Sequence, residues 1–316
     1  MSVIHSHDVF IAGLCVLVQR NAPHLSAYEI AKSTGWPFVM AAAEEWLDGN
    51  TLVLHPGMRA TQVHGLFELR SLLLNRLSCH GLRTIYIWMS SHNQLEPADV
   101  FSDTLIVGSK LAPITFIDSF DETEVCFRTL DGETLSLEWT QTSHGSGLEV
   151  ISVLVAEQEA EPLPVLEHIT HVYRMLSKTP SVTFGTAQHP IREWQTWHFG
   201  TDSLEVIAMC ADTAAPLSLT ADAVARTAAV YQARWRMAGQ MIAEWAEVYP
   251  QLAPALGHID NACFFMEIVH QYYPITTSRR ALSQSEGAVV AAAFRDARHE
   301  WRAIAELMRG LLPEHV

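Results

Sequence analysis

Three aspartates stand at the ends of predicted elements, where a carboxylate can take part in chemistry. Asp8 precedes the first helix, Asp103 opens a short apolar strand, and Asp118 closes the next strand. Two carboxylates a few ångströms apart cannot both ionise cheaply, so one of them takes a raised pKa and can serve as an acid or a base. A local alternative makes Asp8 a helix N-cap and Asp118 a turn residue.

The N-terminal segment offers a second kind of chemistry. His5 and His7 place both rings on one side of an extended chain, and Asp8 and Asp103 add carboxylate ligands suited to a divalent metal ion. The chain has 16 histidines, so one such pair is unsurprising and a solvated tail is the simpler interpretation. The sequence therefore favours no metal and no other cofactor, with metal-assisted chemistry kept as an alternative.

Further polar and aromatic residues are candidates for contact with a substrate. Trp88 lies near the end of a predicted strand, His92 and Asn93 follow it in a loop, and Trp197 lies in a segment predicted to link two lobes. Ligand sites favour the interfaces between domains, so we predict that these residues and His7 bind substrate. Loop polarity and the packing of tryptophan in a core explain them as well.

Helices and strands alternate in the first part of the chain, and helices dominate the second. Apolar residues 8–20 predict a buried helix, and six short apolar runs between 84 and 155 predict strands. The predicted helices of the second part span 165–177, 202–212, 220–247, 251–272 and 286–311. The acidic, proline-containing segment 156–164 predicts a boundary. We therefore predict an α+β lobe with a central antiparallel sheet over 1–160 and an α-helical lobe over 161–316.

The composition limits the class of partner. A net charge of −15 without a basic patch argues against nucleic-acid binding. No run approaches the roughly 20 apolar residues that span a bilayer, and the first residues lack the pattern of a signal peptide. We predict a cytoplasmic protein with no membrane partner. Its 5 cysteines form no Cys-x-x-Cys pair and are predicted to be free, mostly buried thiols.

Two thiols are rivals for the role of a nucleophile. Cys15 lies inside the apolar run of the first helix, about two turns from Asp8, and is predicted to be structural. Cys79 precedes His80, but adjacent residues of a helix point about 100° apart and do not form a dyad. The amphipathic helix 220–247 predicts a core helix or a dimer face, so a homodimer is a candidate assembly.

The order of elements and several short motifs resemble the family of the butirosin-biosynthesis acyltransferase (BtrH-type). Its members have a papain-like first lobe and a helical second lobe, and they act in bacterial secondary metabolism. The step His7-Asp8 stands where the family has a His-Cys pair, and Asp103–Gly108 stands where the family has a His-x-Val-Val-Val-Gly strand. The segments Leu95–Pro97 and Gly200–Leu204 and the last helix around Trp301 also resemble family motifs.

The resemblance implies a papain-like fold in which Asp8 and Asp103 replace the catalytic cysteine and histidine. Papain-type chemistry needs a thiolate and an imidazole base, so this variant predicts acid–base chemistry without a thiol. Asp103 is then the base, Asp8 its partner and Asp118 the orienting residue. The implied function is cyclisation, isomerisation, hydrolysis or acyl transfer of an acyl or aminoacyl group, free or carried as a thioester on a carrier protein. The alternative is a non-catalytic member that binds a small molecule or a carrier protein.

Overall fold

Two compact units make up the chain. The first unit comprises Met1–Thr34 and Arg59–Pro162, and the second comprises Gly35–Met58 and Leu163–Val316. The computed structural model describes residues 9–47, 51–56, 73–89, 95–97, 100–101, 103–107, 114–141, 148–158, 160–177, 182–185, 194–212, 221–272 and 283–313. Helices and antiparallel strands occur in both units, which confirms the predicted α+β class.

The secondary structure follows the predicted pattern in most places. Among the described residues, the helices are α1 (Val9–Asn21), α2 (Ala27–Thr34), α3 (Val165–Ser177), α4 (Thr201–Asp212), α5 (Ala221–Val248), α6 (Pro254–Tyr272) and α7 (Gln284–Arg309). The strands are β1 (Ala41–Leu47), β2 (Thr51–Pro56), β3 (Leu82–Met89), β4 (Leu105–Val107), β5 (Ile114–Phe120), β6 (Glu124–Thr129), β7 (Thr134–Glu138), β8 (Leu148–Val155), β9 (Val182–Gly185) and β10 (Trp194–Phe199). No helix in this part of the chain is long and apolar enough to cross a membrane.

The first unit contains a six-stranded antiparallel sheet in the order β3-β8-β4-β5-β6-β7. One face carries an apolar cluster of Leu95, Val100, Ile106, Ile117, Val125, Phe127, Trp139 and Val150. The other face carries Leu105, Phe116 and Ile151, which lie opposite one another in the register. Helix α1 packs on β4, β5 and β8. Because Arg20 of α1 lies over the ring of Phe116, α1 covers this second face.

The second unit also contains a sheet, so the prediction of an α-helical lobe over 161–316 is incomplete. Its four strands run in the order β2-β1-β10-β9 and take the segment 35–58 from the predicted first lobe. Trp194 and Trp197 lie in β10 rather than in a linker. Strand β1 begins Ala-Ala-Ala-Glu-Glu, a helix-favouring sequence, and its pairing with β10 in the tertiary structure overrides that preference.

Helices complete the second unit around an aromatic core. Phe38 stacks on Trp245 with ring centroids 5.5 Å apart and meets the edge of Trp301 at 6.0 Å. Trp235 lies 5.5 Å from Trp301. The last helix begins with a capping box in which Ser283 and Glu286 satisfy each other's backbone N–H groups. The predicted helices of this region agree with the structure to within about three residues.

Candidate functional site

Asp103 occupies an unusual backbone position just before β4. Its φ is 71°, and among the described residues Asp103 is the non-glycine residue that has a positive φ. The Asp103 N–H donates to the Ile117 carbonyl at 2.7 Å, the Ile117 N–H donates to the Thr104 carbonyl at 2.9 Å, and the Thr104 N–H donates to the Phe101 carbonyl at 3.1 Å. Two residues of one strand thus oppose one residue of the next. This is a β-bulge of the type whose first position is normally glycine.

Asp118 lies at a second irregularity on the neighbouring strand. The register of β5 with β6 shifts between Ile117 and Ser119, which leaves Asp118 as the extra residue. The Ile117 carbonyl belongs to the peptide group that joins Ile117 to Asp118, and it accepts the Asp103 N–H. The two bulges therefore bring both predicted aspartates to one place at the end of the β4–β5 ladder. Bulges of this kind redirect side chains and are common beside active sites.

An arginine faces each aspartate. Nη1 of Arg20, in the last turn of α1, contacts Oδ1 of Asp103, and Nε of Arg128, on β6, donates to Oδ1 of Asp118 at 3.0 Å. Both guanidinium groups lie over the ring of Phe116, each with its Cζ 5.6 Å from the ring centroid. We call Arg20, Asp103, Phe116, Asp118 and Arg128 the arginine–aspartate cluster.

The cluster is charged, balanced and partly open to solvent. The side chains of Arg20 and Arg128 are each 29% exposed, and those of Asp103 and Asp118 are 46% and 45% exposed. Burial is the main cause that lowers the pKa of Arg20, the charge of Arg128 lowers it further, and Asp118 acts in the opposite direction. The sequence predicts contact between carboxylates, whereas the contacts found for Asp103 and Asp118 are with arginines. A guanidinium partner suits a carboxylate in its ionised form.

The Arg20–Asp103 pair is expected to contribute modestly to stability. A double-mutant cycle of Arg20→Met and Asp103→Asn, measured by urea unfolding, is expected to give a coupling energy of about 0.5–1 kcal/mol, because both side chains are partly screened by water. A coupling energy indistinguishable from zero would show that the contact does not hold Asp103 in place.

Several predicted site residues lie outside the described part of the chain. These are His5, His7, Asp8, His92 and Asn93. Three of the four predicted metal ligands, His5, His7 and Asp8, are among them. The described residues contain no group of three metal-ligating side chains.

The pairing of Asp8 with Asp103 stays a prediction. Asp103 contacts the last turn of α1, whereas Asp8 precedes the first residue of that helix, Val9, in sequence. Val9 and Arg20 are about 16 Å apart along the helix axis. The contact found for Asp103 therefore comes from the last turn of α1.

For the two predicted tryptophans, Trp88 and Trp197, the structure gives the strand and the residues opposite in the register. Trp88 lies in β3 opposite Glu149 of the first unit. Trp197 lies in β10 of the second unit, opposite Ala43 on one side and Val182 on the other. Their predicted contact with substrate stays a prediction.

Sequence reasoning missed both arginines of the cluster. Arg20 ends an apolar helix, where a long cation has to reach either water or a carboxylate. Arg128 alternates with the buried Phe127 on β6 and lies directly opposite Phe116 on β5. The cross-strand pairing that brings Arg128 to this face depends on the register, which the bulge at Asp118 alters.

Neither Cys15 nor the contact of Ser33 with His80 has the features of a nucleophilic centre. Cys15 is buried inside α1, as predicted for a structural cysteine. Nε2 of His80 lies 2.6 Å from Oγ of Ser33, and that hydroxyl also donates to the Glu29 carbonyl at 2.8 Å. A hydroxyl that gives its one proton to a backbone carbonyl accepts from the imidazole, so this pair is not a nucleophile with its base.

A surface groove of about 520 Å³ lies between α5 and α6 of the second unit. Gly239 and Ile259 line it, and the ion pair of Arg236 with Glu267, 3.0 Å long, lies at its edge. Cys263 also lines the groove, and burial raises the pKa of its thiol to about 11. A thiol with this pKa is protonated at neutral pH and is a poor nucleophile.

Comparison with known sequences identifies no relative of the chain. No protein-family model matches the chain, and no curated protein is significantly similar to it. Function is therefore inferred from the residues and geometry of the site.

Proposed function

We propose that this protein is an enzyme of secondary-metabolite biosynthesis that acts on an acyl or aminoacyl group, with the first unit as a papain-like scaffold. The arginine–aspartate cluster is its reaction site. The arrangement of an apolar helix on an antiparallel sheet, with Asp103 before β4 and Asp118 near the end of β5, supports this assignment. These are the places that a histidine and an acid take in the family that the chain resembles.

The single observation that carries the proposal is the backbone of Asp103. A residue with a Cβ in the left-handed region costs roughly 1–2 kcal/mol relative to glycine, with a smaller cost for Asp and Asn, which adopt this region more often than other residues. Asp103 takes this conformation with φ 71° in a bulge where glycine would be free of that cost. Strain of this sort collects at functional sites, where a side chain has to be held in one direction. A carboxylate kept where glycine would be free of this cost supports a chemical role for Asp103.

The geometry suits proton transfer from substrate to Asp103. Arg20 contacts Oδ1 of Asp103, which leaves Oδ2 to take a proton from a carbon or nitrogen of the substrate. The negative charge that develops on a neighbouring carbonyl oxygen needs hydrogen-bond donors, and the guanidinium groups of Arg20 and Arg128 supply them. Asp118 accepts a hydrogen bond from the Nε–H of Arg128 and so orients that guanidinium group. In this mechanism Asp118 is a positioning residue.

A non-catalytic binding protein is the second candidate. Each aspartate already faces an arginine, so opposite charges are paired within the cluster. In this candidate the balanced cluster would recognise a polar ligand without transforming it. The same fold would then bind a small molecule or a carrier protein.

One assay separates the two candidates. The purified protein is incubated with carrier proteins that bear a panel of acyl and aminoacyl thioesters, and the released acyl groups are analysed by mass spectrometry and chiral chromatography. A changed mass or configuration, absent without the protein, supports the enzyme. Retention of a loaded carrier with its acyl group unchanged supports the binding protein and contradicts the enzyme.

A further inference from the structure

We propose that the arginine–aspartate cluster binds a zwitterion, a ligand that carries a carboxylate and an ammonium group close together as an α-amino acid does. The inference rests on the proposed function, since it names the ligand of the same site as the free amino acid, which keeps the carboxylate that a thioester lacks. It follows from the way that two cations and two anions share one face of the sheet.

The guanidinium groups have donors to offer a ligand carboxylate. A guanidinium has five N–H groups. Among the described residues, the aspartate contacts engage one nitrogen of each, Nη1 in Arg20 and Nε in Arg128. Both Cζ atoms lie over the ring of Phe116, and a guanidinium presents its N–H groups in a planar fork that a carboxylate accepts in pairs.

The aspartates have acceptors to offer a ligand ammonium group. Oδ1 of each carboxylate is the atom that meets its arginine, and Oδ2 of each is a further acceptor. Nearly half of each aspartate side chain is exposed, so a ligand can reach these oxygens from solvent. An ammonium group with three N–H donors matches this set of acceptors.

The balance of charge selects a zwitterion over a simple ion. Each Cζ is 5.6 Å from the same ring centroid, so the two guanidinium groups are no further apart than twice that distance. A lone anion there is attracted by two arginines and repelled by two aspartates, and a lone cation meets the reverse. A ligand with both charges gains from both pairs when it lies between them.

The test compares L-alanine with two smaller probes, each of which lacks one of its two charged groups. L-Alanine carries both charges, propionate only the carboxylate, and ethylamine only the ammonium group; inorganic phosphate is the fourth probe. Titration of the full chain, followed by NMR or calorimetry, is expected to show L-alanine bound at least about tenfold more tightly than any of the others. Equal or tighter binding of propionate or phosphate would make this a simple anion site and overturn the inference. Absence of L-alanine binding at tens of millimolar would also overturn it.

Variants place the binding at the cluster. Arg128→Gln and Asp118→Asn are each expected to weaken L-alanine binding at least about tenfold while the circular dichroism spectrum stays unchanged. Arg236→Gln is the matched control, because Arg236 is 61% exposed and pairs with Glu267 in the second unit. An equal effect of Arg236→Gln, or no effect of the cluster variants, contradicts the inference.

The outcome is separable from that of the proposed function. L-Alanine binding is measured without a carrier and without turnover. If the protein converts a carrier-bound acyl group but does not bind L-alanine, the zwitterion inference is wrong and the proposal of an enzyme stands. If the protein binds L-alanine but converts no acyl group, the zwitterion inference stands and the binding protein is favoured over the enzyme.

Discussion

Asp103→Asn is expected to lower turnover of the acyl or aminoacyl substrate by at least about 100-fold, the usual contribution of a general base. Asparagine has the same shape and also tolerates the left-handed backbone that Asp103 adopts with φ 71°, so the bulge remains. What is lost is the oxygen that takes the proton. The measurement is the rate of change of the carrier-bound acyl group, with the thermal midpoint recorded on the same preparation.

The matched control for this variant is Asp131→Asn. Asp131 is an exposed residue in the turn between β6 and β7, so the change removes the same charge from the same unit away from the cluster. It is expected to keep wild-type turnover. Asp103→Asn turnover within a few-fold of wild type would remove Asp103 from the mechanism.

Gly200→Ala is expected to destabilise the second unit by roughly 3 kcal/mol or more, because strain and overpacking act together. Gly200 joins β10 to α4 with φ 61°, a conformation that L side chains rarely adopt. A Cβ at this position would meet the carbonyl oxygens of Met175, at 2.5 Å, and Leu176. Both are backbone atoms of α3, which cannot turn aside as a flexible side chain does. Urea unfolding measures the loss.

Gly132→Ala separates backbone strain from crowding. Gly132 has φ 88°, but a Cβ there would meet no atom within 4 Å. Its cost is therefore the backbone term alone, about 1 kcal/mol. Equal losses for Gly132→Ala and Gly200→Ala would contradict the close packing of Gly200 against α3.

The first unit was largely predictable because its elements are marked locally. Apolar residues of α1 form one continuous run, and the strands from β3 to β8 are separated by Asp, Gly, Ser and Pro. The sheet of the second unit was not predictable in the same way. Strand β1 pairs Ala41 with Phe199, a partner more than 150 residues away, and its alanine-rich sequence gives no local sign of a strand.

The residues of the candidate site also differ in how far the sequence alone predicts them. The sequence singled out Asp103 and Asp118 as residues at predicted strand ends; Asp103 does lie just before β4, whereas β5 continues past Asp118 to Phe120. Arg20 and Arg128 were missed because their contacts depend on how α1 lies on the sheet and on a bulge in the β5–β6 register. A bulge changes which residues are opposite one another, and the bulge at Asp118 has no positive φ that would call for a glycine and mark it in the sequence.

Stability and turnover of Asp103→Gly, measured on one preparation, test the functional role of Asp103 most directly. Glycine removes the backbone strain and the carboxylate at once, while the lost contact with Arg20 costs only about 0.5–1 kcal/mol. We expect a free energy of unfolding equal to or above that of the wild type, together with loss of turnover. A variant that is clearly less stable and still turns over its substrate would show that Asp103 serves the fold and not the chemistry.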